Sequence, residues 1–186
     1  MARIVFTNAN LLDGDNPAVA GANVVVDDKR ISYAGTEPVE THAEDRVMDL
    51  SGKTLMPGMV QAHFHTGFGP TPSTQASPVL GLEAPMGYMG MIAAMNARIA
   101  LDSGVTSIIG SSNPGFLDVQ LKEAMMLGVV EGPRIIPCTH EFMASGDQAD
   151  GTNRSWFMDI HNHGLTRPVN GVEEMRAASG RGCGCP

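Results

Sequence analysis

At 186 residues, with 42% hydrophobic and 17% charged residues, the chain has the makeup of a globular protein with a core to bury, which argues against disorder. A formal charge of −8 without any Lys/Arg cluster excludes nucleic acid and anionic membranes as main partners and leaves a small-molecule substrate as the default. No stretch reaches the roughly 18 consecutive apolar residues of a membrane span, and the start, Met1 to Asn8, lacks the apolar run of a secretory signal, so a cytoplasmic protein is expected.

From residue 3 to about 56, short strand-like runs alternate with turn residues: Ile4-Val5-Phe6, Asn23-Val24-Val25-Val26 and Ile31 to Gly35, parted by Asp13 to Pro17 and Asp27 to Arg30. This pattern predicts a small antiparallel β unit, a β-sandwich-like domain over 1–57, with a last hairpin pairing Val47–Leu50 with Thr54–Met56 across Ser51-Gly52-Lys53.

After Pro57-Gly58 the rhythm becomes strand then helix, which predicts parallel βα units over 58–178. The first joins Met59–His63 to a helix over 87–102, whose Tyr88, Met91, Ile92, Met95 and Ile99 keep helical spacing before a Gly104 cap. The second joins Val105–Ile109 to a helix over 117–127 that ends at Gly128. The third strand, Arg134–Cys138, is followed by a polar loop over 141–169, a length that marks substrate lids. Its helix is expected after Asn170, because Asn170 and Glu173 have capping-box spacing. Most of the thirteen methionines are expected to fill irregular gaps in the core, and Cys138, in an apolar run, reads as a buried thiol.

The chemistry lies in Leu55-Met56-Pro57-Gly58-Met59-Val60-Gln61-Ala62-His63-Phe64-His65. Histidines two apart on a strand face the same way, so His63 and His65 at a strand end can both reach one divalent ion, zinc first among those that suit imidazole. A metal with an open coordination position makes hydroxide available near neutral pH. Spacing alone is weak evidence. It gains force because the pair ends an apolar strand, leaves a Pro-Gly turn and precedes a Gly/Pro-rich loop from Thr66 to Pro78, the rim where β/α barrels carry their chemistry.

The passage Gly52-Lys53-Thr54-Leu55-Met56-Pro57-Gly58-Met59-Val60 followed by His63-x-His65 resembles the start of the amidohydrolase superfamily. Asn96-Ala97-Arg98, Ser103-Gly104-Val105-Thr106 and Gly132-Pro133-Arg134-Ile135 are similar to its imidazolonepropionase-like and Xaa-Pro dipeptidase-like branch, with the match running from about residue 3 to about residue 178. The resemblance implies an α/β fold: a TIM-type (β/α) barrel, truncated to about three βα units and preceded by the small β unit. It also implies that His63 and His65 bind a divalent metal, usually zinc, whose hydroxide attacks an amide, lactam or dipeptide-like carbonyl. The family's bridging lysine, later histidines and acid/base aspartate come from strands beyond the third, so a chain with little or no activity of its own is expected.

His140-Glu141 follows the third strand at the rim of His63 and His65; His140 reads either as a substrate-pocket residue or as a hydrogen-bonded structural histidine. Arg154 reads as a partner for a substrate carboxylate, or as merely solvated along with Asp147, Asp150 and Asp159. His161-x-His163 repeats the metal spacing without a strand to fix it and reads as surface or substrate-facing. Residues 179–186, Ser-Gly-Arg-Gly-Cys-Gly-Cys-Pro, lose the helical pattern and read as an aberrant tail, of the kind a shifted reading frame leaves. The competing expectation is a non-enzymatic fragment that binds metal weakly or self-associates through open sheet edges. A remoter one is a complete small protein with an open three-stranded sheet.

Overall fold

In the computed structural model, which describes residues 3–68, 85–146 and 166–182, the chain divides into two compact units at Pro57/Gly58.

The first unit is one sheet built around β1 (Arg3–Leu11). β2 (Val19–Asp27) runs antiparallel to it, and β3 (Arg30–Gly35) antiparallel to β2. Val5, Ala9, Ala22, Val24 and Val25 are its buried residues, and the consecutive Val24 and Val25 place burial on both faces. The 47–56 hairpin expected from sequence does not form. Instead β4 (Arg46–Asp49) and β5 (Thr54–Leu55) both run parallel to β1, one after the other along its free edge. A nine-residue strand offers these short segments a longer hydrogen-bonding edge than they offer each other. The turn between them is a jog rather than a reversal, held by Asp49, which accepts bonds from Ser51 N–H and hydroxyl at 3.0 and 2.7 Å. Asn8 sits at a β1 bulge with φ 59° and donates to Asp49 at 3.0 Å; Asn is among the residues that tolerate left-handed φ.

The second unit holds the parallel sheet β6-β7-β8, made of Met59–Phe64, Val105–Gly110 and Arg134–Ile136. α1 (Met86–Asp102) follows β6, and α2 (Leu117–Met126) follows β7, as βα units require. The sheet is open and does not close into a barrel. Met89, Ala93 and Ala97 of α1 pack with Leu117 and Leu121 of α2 on Ile108 and Ile135. The helix forms where the spacing of Tyr88, Met91, Ile92, Met95 and Ile99 predicts it, but Tyr88, Met91, Met95 and Ile99 are exposed, and the buried positions are Met89, Ala93, Ala97 and Ala100. The helix carries two apolar stripes, and the one with small side chains lets it approach its neighbours closely. Nor are most described methionines core filler, since Met56, Met59, Met91, Met95, Met126 and Met175 are exposed. Cys138 is only partly buried, and that burial pushes its thiol pKa up.

The ends of the long loop pair with each other: β9 (Glu141–Met143) and β10 (Thr166–Pro168) are parallel, and Val169 N–H donates to the Met143 carbonyl at 2.7 Å. α3 (Gly171–Gly182) begins after Asn170 as expected, but Glu174 rather than Glu173 completes the cap, accepting from Asn170 N–H at 2.6 Å. Glu173 pairs with Arg176 instead. The backbone stays helical to Gly182, so the expected loss of helix after 178 is not observed. Among the described residues no helix is long and apolar enough to cross a membrane.

Candidate metal centre at the end of β6

His63 is the penultimate residue of β6 and His65 follows its last, Phe64, which turns the other way to pack against the helix-covered core. The two imidazoles stand edge to face, and their Nε2 atoms lie 3.1 Å apart. Two nitrogens of a tetrahedral zinc site, each about 2.0–2.1 Å from the ion, are separated by roughly 3.3 Å. The donor set therefore fits two positions around one ion.

The tautomer of His65 follows from its partner. Its Nδ1 lies 3.0 Å from the carbonyl oxygen of Ser112. A carbonyl only accepts, so Nδ1 carries the proton and Nε2 presents a lone pair toward His63. Phe68 stacks on the His65 ring at 4.3 Å between centroids, the two planes nearly parallel. The Ser112 hydroxyl in turn donates to Glu141 at 3.2 Å, so the residue that opens β9 connects to the histidine pair through Ser112.

Beneath the pair lies a buried polar cluster that sequence reading missed: Thr66, Ser112, Asn113 and Asp118. Asp118, in the first turn of α2, accepts from Thr66 Oγ1 at 2.5 Å and Asn113 Nδ2 at 3.0 Å through Oδ1, and from Cys138 N–H at 3.1 Å through Oδ2. Burial pushes its carboxyl pKa up, and these three donors work against that shift. Asn113 Oδ1 accepts from Gly67 N–H at 3.1 Å. Asn96 donates to the carbonyls of Thr66 and Phe68, both at 2.8 Å, so the Asn-Ala-Arg passage noted in the sequence ties α1 to the turn after His65. Local sequence carries no signal for this cluster. Thr66 and Asp118 are 52 residues apart, and a first-turn aspartate is commonplace in helices.

His140 is partly buried, and its ring meets Phe116 edge-on at 5.6 Å. Arg154, Asp147, Asp150, Asp159, His161 and His163 lie outside the described residues, as do Cys183 and Cys185. Among the described residues no group of three His, Cys, Asp or Glu side chains is placed to hold a metal ion, and His63 and His65 stand as a pair. A cavity of about 400 Å³ opens beside it, lined by Gln61, Phe64, His65, Phe68, Asn96 and Ile99 among others.

No protein-family model matches the chain. It is 33% identical over 132 residues to a dihydroorotase of Chlorobaculum tepidum, a match covering 65% of this chain and 29% of that protein. Among solved structures, it superposes on a prolidase complexed with N-methylphosphonate-L-proline with a TM-score of 0.79 and 25% identity, covering 97% of this chain and 43% of that one. A structure described as an amidohydrolase gives a TM-score of 0.78 and 26% identity, covering 97% of this chain and 44% of that one. The chain thus spans less than half the length of these structures and less than a third of the dihydroorotase.

Proposed function

Since the chain belongs to the amidohydrolase superfamily and spans the amino-terminal portion of prolidase-like neighbours, we propose that His63 and His65 hold a divalent metal, zinc first, for hydrolysis of a carbon–nitrogen bond. The substrate class is a small molecule with an amide, lactam or dipeptide-like carbonyl. The observation that carries the reading is the convergence of the two Nε2 atoms at 3.1 Å, with the His65 tautomer set by the Ser112 carbonyl.

A bound divalent metal supplies a polarised water near neutral pH. The chain's own residues bind and orient. Ser112 fixes the protonated nitrogen of His65, Phe68 covers one face of that ring, and Glu141 holds the Ser112 hydroxyl. His140, past the end of β8 at the same rim, is proposed to face the substrate. Catalytic zinc centres generally take three protein ligands, so two histidines alone predict weak hydrolysis.

The test is metal content per chain by elemental analysis, on the protein as purified and on the His63→Ala/His65→Ala double variant, with hydrolysis of amide, lactam and dipeptide panels measured alongside. Near-stoichiometric zinc that the variant loses supports the reading. Equal metal in both, or none in either, overturns it.

A second reading has its own observation. Val60, Ile109 and Ile136 are exposed on the sheet face opposite the helices, and Tyr88, Met91, Met95 and Ile99 are exposed on α1. Unpaired strand edges and apolar patches favour association, so self-association through these surfaces is the alternative role. Light scattering decides it: a mass that rises with concentration and falls in Ile109→Lys/Ile136→Lys supports association, and a monomer at all concentrations rejects it.

A further inference from the structure

Building on the reading of His63 and His65 as a metal pair, we infer that Asp118 is the positioning residue for that pair, a single buried carboxylate that clamps the two backbone segments from which His65 takes its orientation. Thr66, directly after His65, donates its hydroxyl to Asp118 Oδ1 at 2.5 Å. Asn113, directly after the Ser112 whose carbonyl holds His65 Nδ1, donates to the same oxygen at 3.0 Å. The histidine and its acceptor are thus each tied, one residue away, to one atom.

The other carboxylate oxygen accepts from the backbone of Cys138, just past β8. Asp118 therefore reaches the carboxyl ends of all three parallel strands from α2. The fold makes room for it. A β-carbon on Gly110, the last residue of β7, would stand 1.8 Å from Asp118 Oδ2 and 2.9 Å from Cys138 N, so glycine at that position and the carboxylate share one space.

A core position whose only task was packing would hold an apolar residue, because burying a carboxylate is costly even with hydrogen bonds to offset it. What Asp118 contributes instead is direction: three donors converge on it and fix the angle between the β6 terminus and the β7 terminus. Groups that orient the first ligands of a metal typically change its affinity about 10–100-fold when removed.

The experiment compares the intact chain with Asp118→Asn, Thr66→Val and Thr66→Ser by two readouts. The first needs no metal: the nitrogen resonances of the His65 ring in metal-free protein report which nitrogen bears the proton. The second is zinc affinity by competition with a chelating dye. Expected are a Nδ1–H tautomer in the intact chain and a mixture of tautomers in Asp118→Asn and Thr66→Val. Zinc binding should weaken about 10–100-fold in both, and Thr66→Ser should restore both properties. Thr66→Val keeps shape and removes one hydroxyl, so it decides the matter if Asp118→Asn does not fold. An unchanged His65 tautomer in folded Thr66→Val, or failure of Thr66→Ser to rescue, overturns the positioning role. If the intact chain binds no zinc, the metal reading fails on its own, and the tautomer readout still decides the role of Asp118.

Discussion

Gly58, directly before β6, lies so close to Thr106 of β7 that a β-carbon on Gly58 would stand 2.1 Å from Thr106 Cγ2 and 2.2 Å from Thr106 Oγ1. One residue on, Met59 N–H donates to the Gly104 carbonyl at 2.9 Å. The Pro-Gly-Met passage before the histidines and the Ser-Gly-Val-Thr passage 45 residues later, separate in sequence, are thus two sides of one contact that starts the parallel sheet. Thr106 is β-branched and stiff, so it cannot swing aside. Gly58→Ala is expected to destabilise the chain by about 1–3 kcal/mol, as overpacking does. Urea unfolding measures it, and adding Thr106→Gly should recover part of the loss.

Asn170 does two jobs before α3. Its side chain accepts from Ser145 N–H at 3.1 Å and donates to Ser145 Oγ at 2.7 Å, while its own N–H donates to Glu174. Asn170→Ala removes both bonds to Ser145 but keeps the backbone N–H that reaches Glu174, so it should cost about 0.5–1.5 kcal/mol, the net value of a typical hydrogen bond. Hydrogen exchange of α3 and of the β9–β10 pair should accelerate together. Glu174→Ala should reproduce part of this effect and Glu173→Ala should not, because only Glu174 reaches the cap.

Acid should act in opposite directions through Asp13 and Asp49 on one hand and through Asp118 on the other. Asp13 is held below the usual carboxylate range, first by the Asn16 side chain and then by the N–H groups of Asn16 and Asp15; Asp49 is held low by the side chains of Asn8 and Ser51 and by Ser51 N–H. Their contribution is present above the ordinary aspartate value and is lost as pH falls through their depressed values. Asp118 is raised, so its ionised form weighs against the fold above that raised value, and the penalty is relieved as pH falls toward the ordinary one. Carboxyl-carbon titration should place Asp118 above, and Asp13 and Asp49 below, the ordinary value. The difference in melting temperature between the intact chain and Asp49→Asn should shrink in acid.

Arg98 bonds Asp102 at 2.9 Å and also pairs with Glu131, yet all three side chains are largely exposed. Exposed pairs are screened by water and salt. Glu131→Gln should lower the melting temperature slightly at low ionic strength and leave it unchanged at high salt. A large loss that persists in salt would show that the pair anchors α1 to the approach of β8.

Sequence alone determined β6, β7, β8 and the three helices of the second unit, because a strand's period of two and a helix's of 3.6 are local properties, but not β9 and β10, which lie in what reads as a loop. It also pointed to the His63/His65 pair from their spacing at a strand end, although His65 lies one residue past β6 and takes its orientation from Ser112 and Phe68. The resemblance carried by the Pro-Gly and His-x-His passages was local in the same sense. Tertiary structure decided what depends on distant partners. It set the face of α1 that is buried, a choice between two apolar stripes that only the facing sheet and α2 could make. It set β4 and β5 along β1 rather than against each other, because hydrogen-bonding edges are shared across the chain. It also gathered Thr66, Asn113 and Asp118 under the histidines, where a carboxylate finds its donors only once three strand ends have been brought to one point.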